Sequence, residues 1–204
     1  MKALILIFLV AFYSFQNKTS NETASVKIGT QTWTSTNLDV STFKNGKPIP
    51  EIESPKEFYR AGLNGKPAWC YYNKNSSDRS KYGKLYNWYA VHDSNGLAPE
   101  GWHIPTDDEW AILINYLGGS NIAGKKMKSD IYWDGNNNSG FNALPAGYST
   151  NGKSDDAGAY ASFWSVTEIS TGGVWDRNLD TGFLQVYRDD ENKANGFSVR
   201  CVHD

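Results

Sequence analysis

The chain has little of what holds metals or redox centres. Among its 204 residues are 2 Cys, 2 Met and 3 His. His92, His103 and His203 form no i,i+4 pair that could put two imidazoles on one helix face, so zinc is not expected. No sign of charge dominates: 20 Lys and Arg stand against 22 Asp and Glu, and the basic residues are scattered. Without a basic stripe to follow phosphates, nucleic acid is not an expected partner. No apolar run reaches the roughly 20 residues that a membrane-spanning helix needs. A G-x-S-x-G elbow, a Walker loop and a dinucleotide fingerprint are also missing, so nothing in the sequence argues for an enzyme, and no cofactor is expected.

What is present is aromatic and turn-forming. Phe, Trp and Tyr make up 14% of the chain, with 8 Trp and 12 Tyr, beside 19 Gly. The length suits one well-packed domain. At the N-terminus, Lys2 precedes the apolar run Ala3 to Tyr13, and polar Ser14 and Gln16-Asn17-Lys18 follow. That is a signal-peptide pattern, so residues 1–24 are expected to be a signal peptide and polar leader, and residues 25–204 the domain. The expected location is secreted or at the cell surface. The alternative is a buried N-terminal strand. Export would place Cys70 and Cys201 in an oxidising compartment, and a Cys70–Cys201 disulfide is the expectation, with two buried free thiols as the alternative.

Val26-Lys27-Ile28 and Gln31 to Thr34 alternate around Gly29-Thr30 as a hairpin does. Ser54-Pro55-Lys56-Glu57 carries the start signals of a helix: a capping Ser, Pro in the first turn and Glu three residues on. Thr106 and Glu109 repeat that signal before Trp110, Leu113, Ile114 and Leu117, and Gly118-Gly119 stops the run. Trp69 to Tyr72 reads as a strand and Tyr82 to Val91 as a short helix. Further strands are expected at Phe141–Leu144, Phe163–Val166, Val174–Leu179, Phe183–Arg188 and Phe197–Val202, the third and fourth of these joined in a hairpin at Asp180-Thr181-Gly182. In the last strand, Phe197, Val199 and Cys201 share one face and Ser198, Arg200 and Val202 the other. The class is α+β.

Several ordered blocks carry a resemblance. They are Ile28-Gly29 with Gln31-Thr32-Trp33 and Asn37-Leu38, Tyr82 to Val91, Gly101 to Trp110, Ala123-Gly124 with Lys126 to Lys128, Gly140 to Gly147, Phe163 to Glu168 and Gly196 to Val202. Together they resemble the Fibrobacter succinogenes major paralogous domain over about residues 26 to 204. The His-Ile-Pro-Thr-x-x-Glu-Trp segment and the closing Gly-Phe-x-Val-Arg strand are also similar to the wider C-type-lectin-like and formylglycine-generating-enzyme-like superfamily. That resemblance implies a C-type-lectin-like fold with two main helices, small twisted antiparallel sheets and long loops. The copper-binding cysteine pair of the related oxidases is absent, as are the Glu-Pro-Asn type loop and Trp-Asn-Asp segment of calcium-dependent lectins.

The resemblance also implies that the loop between Leu144 and Phe163 lies on the superfamily's usual ligand face. Its candidate ligand-binding residues are Tyr148, Asn151, Asp155, Asp156 and Tyr160, with Lys153 nearby. Such aromatic, amide and carboxylate side chains suit stacking on sugar rings or gripping a peptide backbone, and equally suit a solvated loop. Asp155-Asp156 alone supplies too few oxygens for calcium, which takes 6–8. The expected function is a non-enzymatic surface binding module for an extracellular glycan or protein. The alternatives are a divergent formylglycine-generating-type or hydrolytic enzyme using His103 or a carboxylate pair, and a structural surface component.

Overall fold

A computed structural model describes residues 23–72, 79, 81–169 and 173–204. The apolar run Ala3 to Tyr13 therefore lies outside the described residues. The elements are β1 Ser25–Ile28, β2 Gln31–Thr34, α1 Pro55–Leu63, β3 Trp69–Cys70, β4 Leu85–Asn87, α2 Trp88–Val91, β5 Trp102–His103, α3 Asp107–Tyr116, α4 Ser120–Met127, β6 Tyr148–Thr150, β7 Lys153–Asp155, β8 Tyr160–Glu168, β9 Gly173–Asp180, β10 Asp190–Asn192, β11 Gly196–Phe197 and β12 Val202–His203. The strands form three sheets, in the orders β1-β2-β12-β5, β10-β9-β8 and β3-β4-β11-β6-β7, and every pairing between these named strands is antiparallel. Mixed α+β is therefore the observed class. Among the described residues no helix is long and apolar enough to cross a membrane.

The local signals work where they are self-contained. The β1–β2 hairpin turns at Gly29, whose φ is +62°. Ser54 Oγ accepts the Glu57 amide at the start of α1, and Thr106 and Glu109 form a complete capping box on α3. Acids in the first turn of α3 also favour its positive end.

Expectations that depend on neighbours fare differently. Tyr82 to Val91 is not one helix: Leu85–Asn87 pairs with β3 and β11 as a strand before α2 begins. Asn87 makes the switch, because its Oδ1 accepts both the Ala68 and Ala90 amides. Phe141–Leu144 contributes only an isolated bridge, Ala143 to Lys128. Phe183–Arg188 is loop except for a bridge at Tyr187, and β9 pairs instead with β10. The backbone there is held by a buried lysine: Lys128 Nζ donates to the carbonyls of Asp180 (2.9 Å) and Phe183 (2.8 Å). Helix α4 lies directly on this loop, and a Cβ at Gly124 would come within 2.3 Å of the Gln185 carbonyl oxygen.

Strand β8 divides the interior. Phe163 packs with Trp33, Trp110 and Phe141 in one cluster, and Trp164 with Trp69, Trp88 and Phe197 in the other, as alternation along a strand requires. Three indole N–H groups are satisfied on or across β8: Trp88 donates to Ser165 O, Trp110 to Trp164 O, and Trp164 to Tyr86 O.

The expected Cys70–Cys201 bridge is absent, and both cysteines are buried free thiols. Alternation is again the reason. On β3, Trp69 points into the cluster that contains Cys201, so its neighbour Cys70 points to the opposite face, against Phe58, Ala68 and Leu85. Burial pushes both thiols up to about 12. The folded protein should therefore give little reaction with a thiol reagent at neutral pH, and two equivalents after denaturation. Two equivalents lost only on oxidation, with the fold intact, would contradict this arrangement.

Candidate functional site

A cavity of about 610 Å³ opens beside the β6–β7 hairpin. Its walls come from four places: β6 and its turn (Tyr148, Thr150, Asn151), the β7–β8 connection (Asp156, Ala159), the paired ends of β8 and β9 (Tyr160, Ser162, Asp180), and the β10–β11 corner (Glu191, Asn195, Phe197). The hairpin turn has positive φ at both central residues, Asn151 (+50°) and Gly152 (+77°), which Asn and Gly accept most easily. Asp156 also sits at positive φ, +63°, and its carboxylate accepts the Tyr148 hydroxyl at 2.7 Å. That bond holds the Tyr148 proton, pushing its pKa up to about 12. The Tyr148 and Tyr160 rings meet edge to face, 5.3 Å apart and inclined by 82°.

Tyr148, Asn151, Asp156 and Tyr160 thus converge on the cavity, whereas Asp155 and Lys153 are exposed on β7 and take no part in its lining. The sequence reading missed Thr150, Ser162, Asp180, Glu191, Asn195 and Phe197. One signal for part of this set was available: Asp176, Asn178 and Asp180 alternate along β9, as do Tyr160, Ser162 and Trp164 opposite them on β8. Such a register makes one sheet face polar at its open end. Asp176 lies on that face, fully buried, and burial followed by the charge of Glu191 raises its carboxyl to about 8. Glu191 is itself raised, first by burial, although the Asn195 amide donates to its Oε2 at 2.7 Å.

The sequence matches the family model of the Fibrobacter succinogenes major domain over residues 26–203. The chain belongs to that family. No curated protein matches it.

In this family member, His103 lies away from the cavity lining, at the end of β5. Its Nε2 is 2.7 Å from Glu109 Oε1 and its Nδ1 2.7 Å from Asp204 Oδ1. Partial burial opposes the charge on the ring, but the hydrogen bonds and charges of Glu109 and Asp204 outweigh it and raise the pKa. Glu109 is correspondingly lowered despite its own partial burial, since Thr106 and His103 both donate to it. The ring joins β5, the α3 cap and Asp204.

The two shifts set opposite pH limits. Because the folded His103 pKa is raised, its contribution to stability is complete below the ordinary imidazole value and is lost as pH rises through the folded value. Glu109 contributes above its ordinary value, and that is lost as pH falls through its lowered pKa. Urea midpoints of the wild type and His103→Gln should therefore converge as pH is raised above neutrality and differ most in mildly acidic solution. Parallel curves would contradict the assignment.

At the same end of α3, Asp107 anchors two arginines. Arg177 Nη2 lies 2.6 Å from its Oδ1 and Arg188 Nη2 2.9 Å from its Oδ2, and the Arg188 guanidinium stacks 3.1 Å above the Trp175 ring. Trp133 donates to Thr181 Oγ1. Both tryptophans thus have packing and bonding partners. Among the described residues no group of three or more His, Cys, Asp or Glu is arranged to hold a metal.

Proposed function

We propose that this chain is an exported, non-enzymatic surface module that binds an extracellular glycan in the cavity between the β6–β7 hairpin and the β10–β11 corner. The observation that carries this reading is the lining itself: two tyrosines and Phe197 beside Thr150, Asn151, Ser162, Asn195 and three carboxylates. Ring faces stack on the apolar faces of sugars, while amides, hydroxyls and carboxylates suit their hydroxyl groups. The volume is that of a small-ligand site, which spans roughly 300–1,000 Å³. Export rests on the apolar run after Lys2. A C-type-lectin-like architecture is supported by the pairing of the last strand, β12, with the early β2 and with β5, and by ligand-facing side chains on a long connection.

The test is a glycan array followed by titration of the hits against the wild type and Tyr160→Ala. Binding that weakens about tenfold or more in the variant is expected, on the scale of about 1–3 kcal/mol for a stacked aromatic contact. A folded protein that binds no glycan, or whose binding ignores Tyr160, overturns the proposal. Hydrolysis by a carboxylate pair in the same cavity is the competing reading. It would appear as shortened oligosaccharide on prolonged incubation, and none is expected.

A further inference from the structure

The cavity wall carries a buried acceptor without a donor. Asn195 is 4% exposed; its Nδ2 is spent on Glu191, and its Oδ1 is buried with no hydrogen-bond partner. Asn195 Oδ1 can only accept. An orphaned buried acceptor on a cavity wall is costly, and it defines what the missing partner must bring, namely an N–H or O–H donor.

Charge narrows the class. Asp156, Asp180 and Glu191 line the cavity, and among the described residues no lysine or arginine belongs to the lining. A metal cation would need convergent oxygen ligands, and among the described residues no cluster of that kind occurs. An organic cation fits better, because the lining includes Tyr148 and Tyr160, and aromatic rings attract ammonium.

We propose that the cavity recognises a free primary ammonium on a sugar ring, so that its ligand is a glycan containing de-N-acetylated hexosamine. This rests on the glycan reading above and narrows it. The ammonium donates to the orphaned Asn195 oxygen beside Glu191, while the ring of the same residue packs on the tyrosines. N-acetylation removes the charge and two donors and adds bulk beside that oxygen. A neutral hexose keeps the stacking and loses the ion pair.

Calorimetric titration with four probes tests it: a β-1,4-linked glucosamine tetramer, its N-acetylated counterpart, a glucose tetramer, and Nα-acetyl-lysine methylamide, all at a pH where the amines are charged. The glucosamine tetramer should bind about tenfold or more tighter than either neutral tetramer, as expected for a charge-assisted hydrogen bond in a partly desolvated site. In Glu191→Gln, checked for an unchanged melting temperature, that preference should fall severalfold. Asn195→Ala, which removes the orphaned acceptor, is the second variant, should the first not fold. Equal affinity for charged and neutral tetramers overturns the ammonium inference and leaves the glycan module standing. A lysine analogue that binds as tightly as the glucosamine tetramer overturns the sugar as the carrier. No binding by any sugar overturns both readings.

Discussion

Replacing Arg200 with Met should lower the free energy of unfolding by about 3–5 kcal/mol, since each orphaned buried acceptor costs about 1–3 kcal/mol and the losses do not simply add. Arg200 is fully buried, and among the described residues no carboxylate lies within hydrogen-bonding distance of it. Its guanidinium instead donates to Asn37 Oδ1 (2.7 Å) and to the carbonyls of Thr34 (2.8 Å), Phe141 (2.7 Å) and Asn142 (2.9 Å), and it lies 4.5 Å from the Phe141 ring centroid. Burial lowers its pKa to about 9, which leaves it protonated at neutral pH. These bonds tie the segment after β2 and the loop at 141–142 to the last stretch of chain, where regular sheet pairing is absent. Methionine fills much of the volume and satisfies none of the acceptors. Arg200→Lys should also destabilise, because a single ammonium cannot reach partners spread around a planar fork. Urea unfolding provides the measurement, with Arg60→Met as the control. Arg60 meets Glu57 on an exposed helix face, and its loss should change stability by less than about 0.5 kcal/mol. An Arg200→Met protein as stable as that control would show that the buried fork does not secure the fold.

Trp164→Ala is the second large effect, at about 3–5 kcal/mol, the usual range for deleting a buried aromatic side chain. Its ring is 0% exposed and lies 4.3 Å from the Phe197 centroid, and its indole N–H donates to Tyr86 O at 2.7 Å. The loss has two separable parts. Trp164→Phe keeps most of the apolar contact and loses the indole bond to the Tyr86 carbonyl, so it should cost about 1–3 kcal/mol. A double-mutant cycle with Phe197→Leu should show coupling of at least about 0.5 kcal/mol, because the two rings share one contact. Since Phe197 lines the cavity on its other side, Trp164→Ala should also weaken any ligand held there, even though Trp164 is not part of the lining. Additive energies in the cycle would contradict a shared contact.

Both positions show how far local pattern reaches. Phe197, Val199 and Cys201 face one cluster, as period-2 alternation requires. The same rule puts Ser198, Arg200 and Val202 on the other face, and a half-buried strand would have left them near solvent. In the fold that face is buried too, under Phe141 and Trp33, so a side chain that reads as a surface arginine becomes an internal brace. The disulfide expectation failed for a related reason. Two cysteines in a chain read as exported invite pairing, but whether they meet depends on which face of β3 each residue occupies and on which cluster that face meets.

For the candidate site, the legible part was the hairpin side: Tyr148, Asn151, Asp156 and Tyr160 lie within one stretch of sequence whose turn chemistry is recognisable. Glu191 and Asn195 were not legible, because they join the site only through the sheet order β10-β9-β8 and the β11–β6 pairing. Membership of the family, the β1–β2 hairpin, the capped helices α1 and α3 and the α+β class were determined by the sequence itself, since each depends on residues a few positions apart or on ordered blocks. Tertiary structure alone decided the state of the thiols, the burial of Arg200, the engagement of both His103 nitrogens and the placing of Asn195 on the cavity wall. Each of these joins residues far apart in the chain, and local spacing carries no information about which faces will be pressed together.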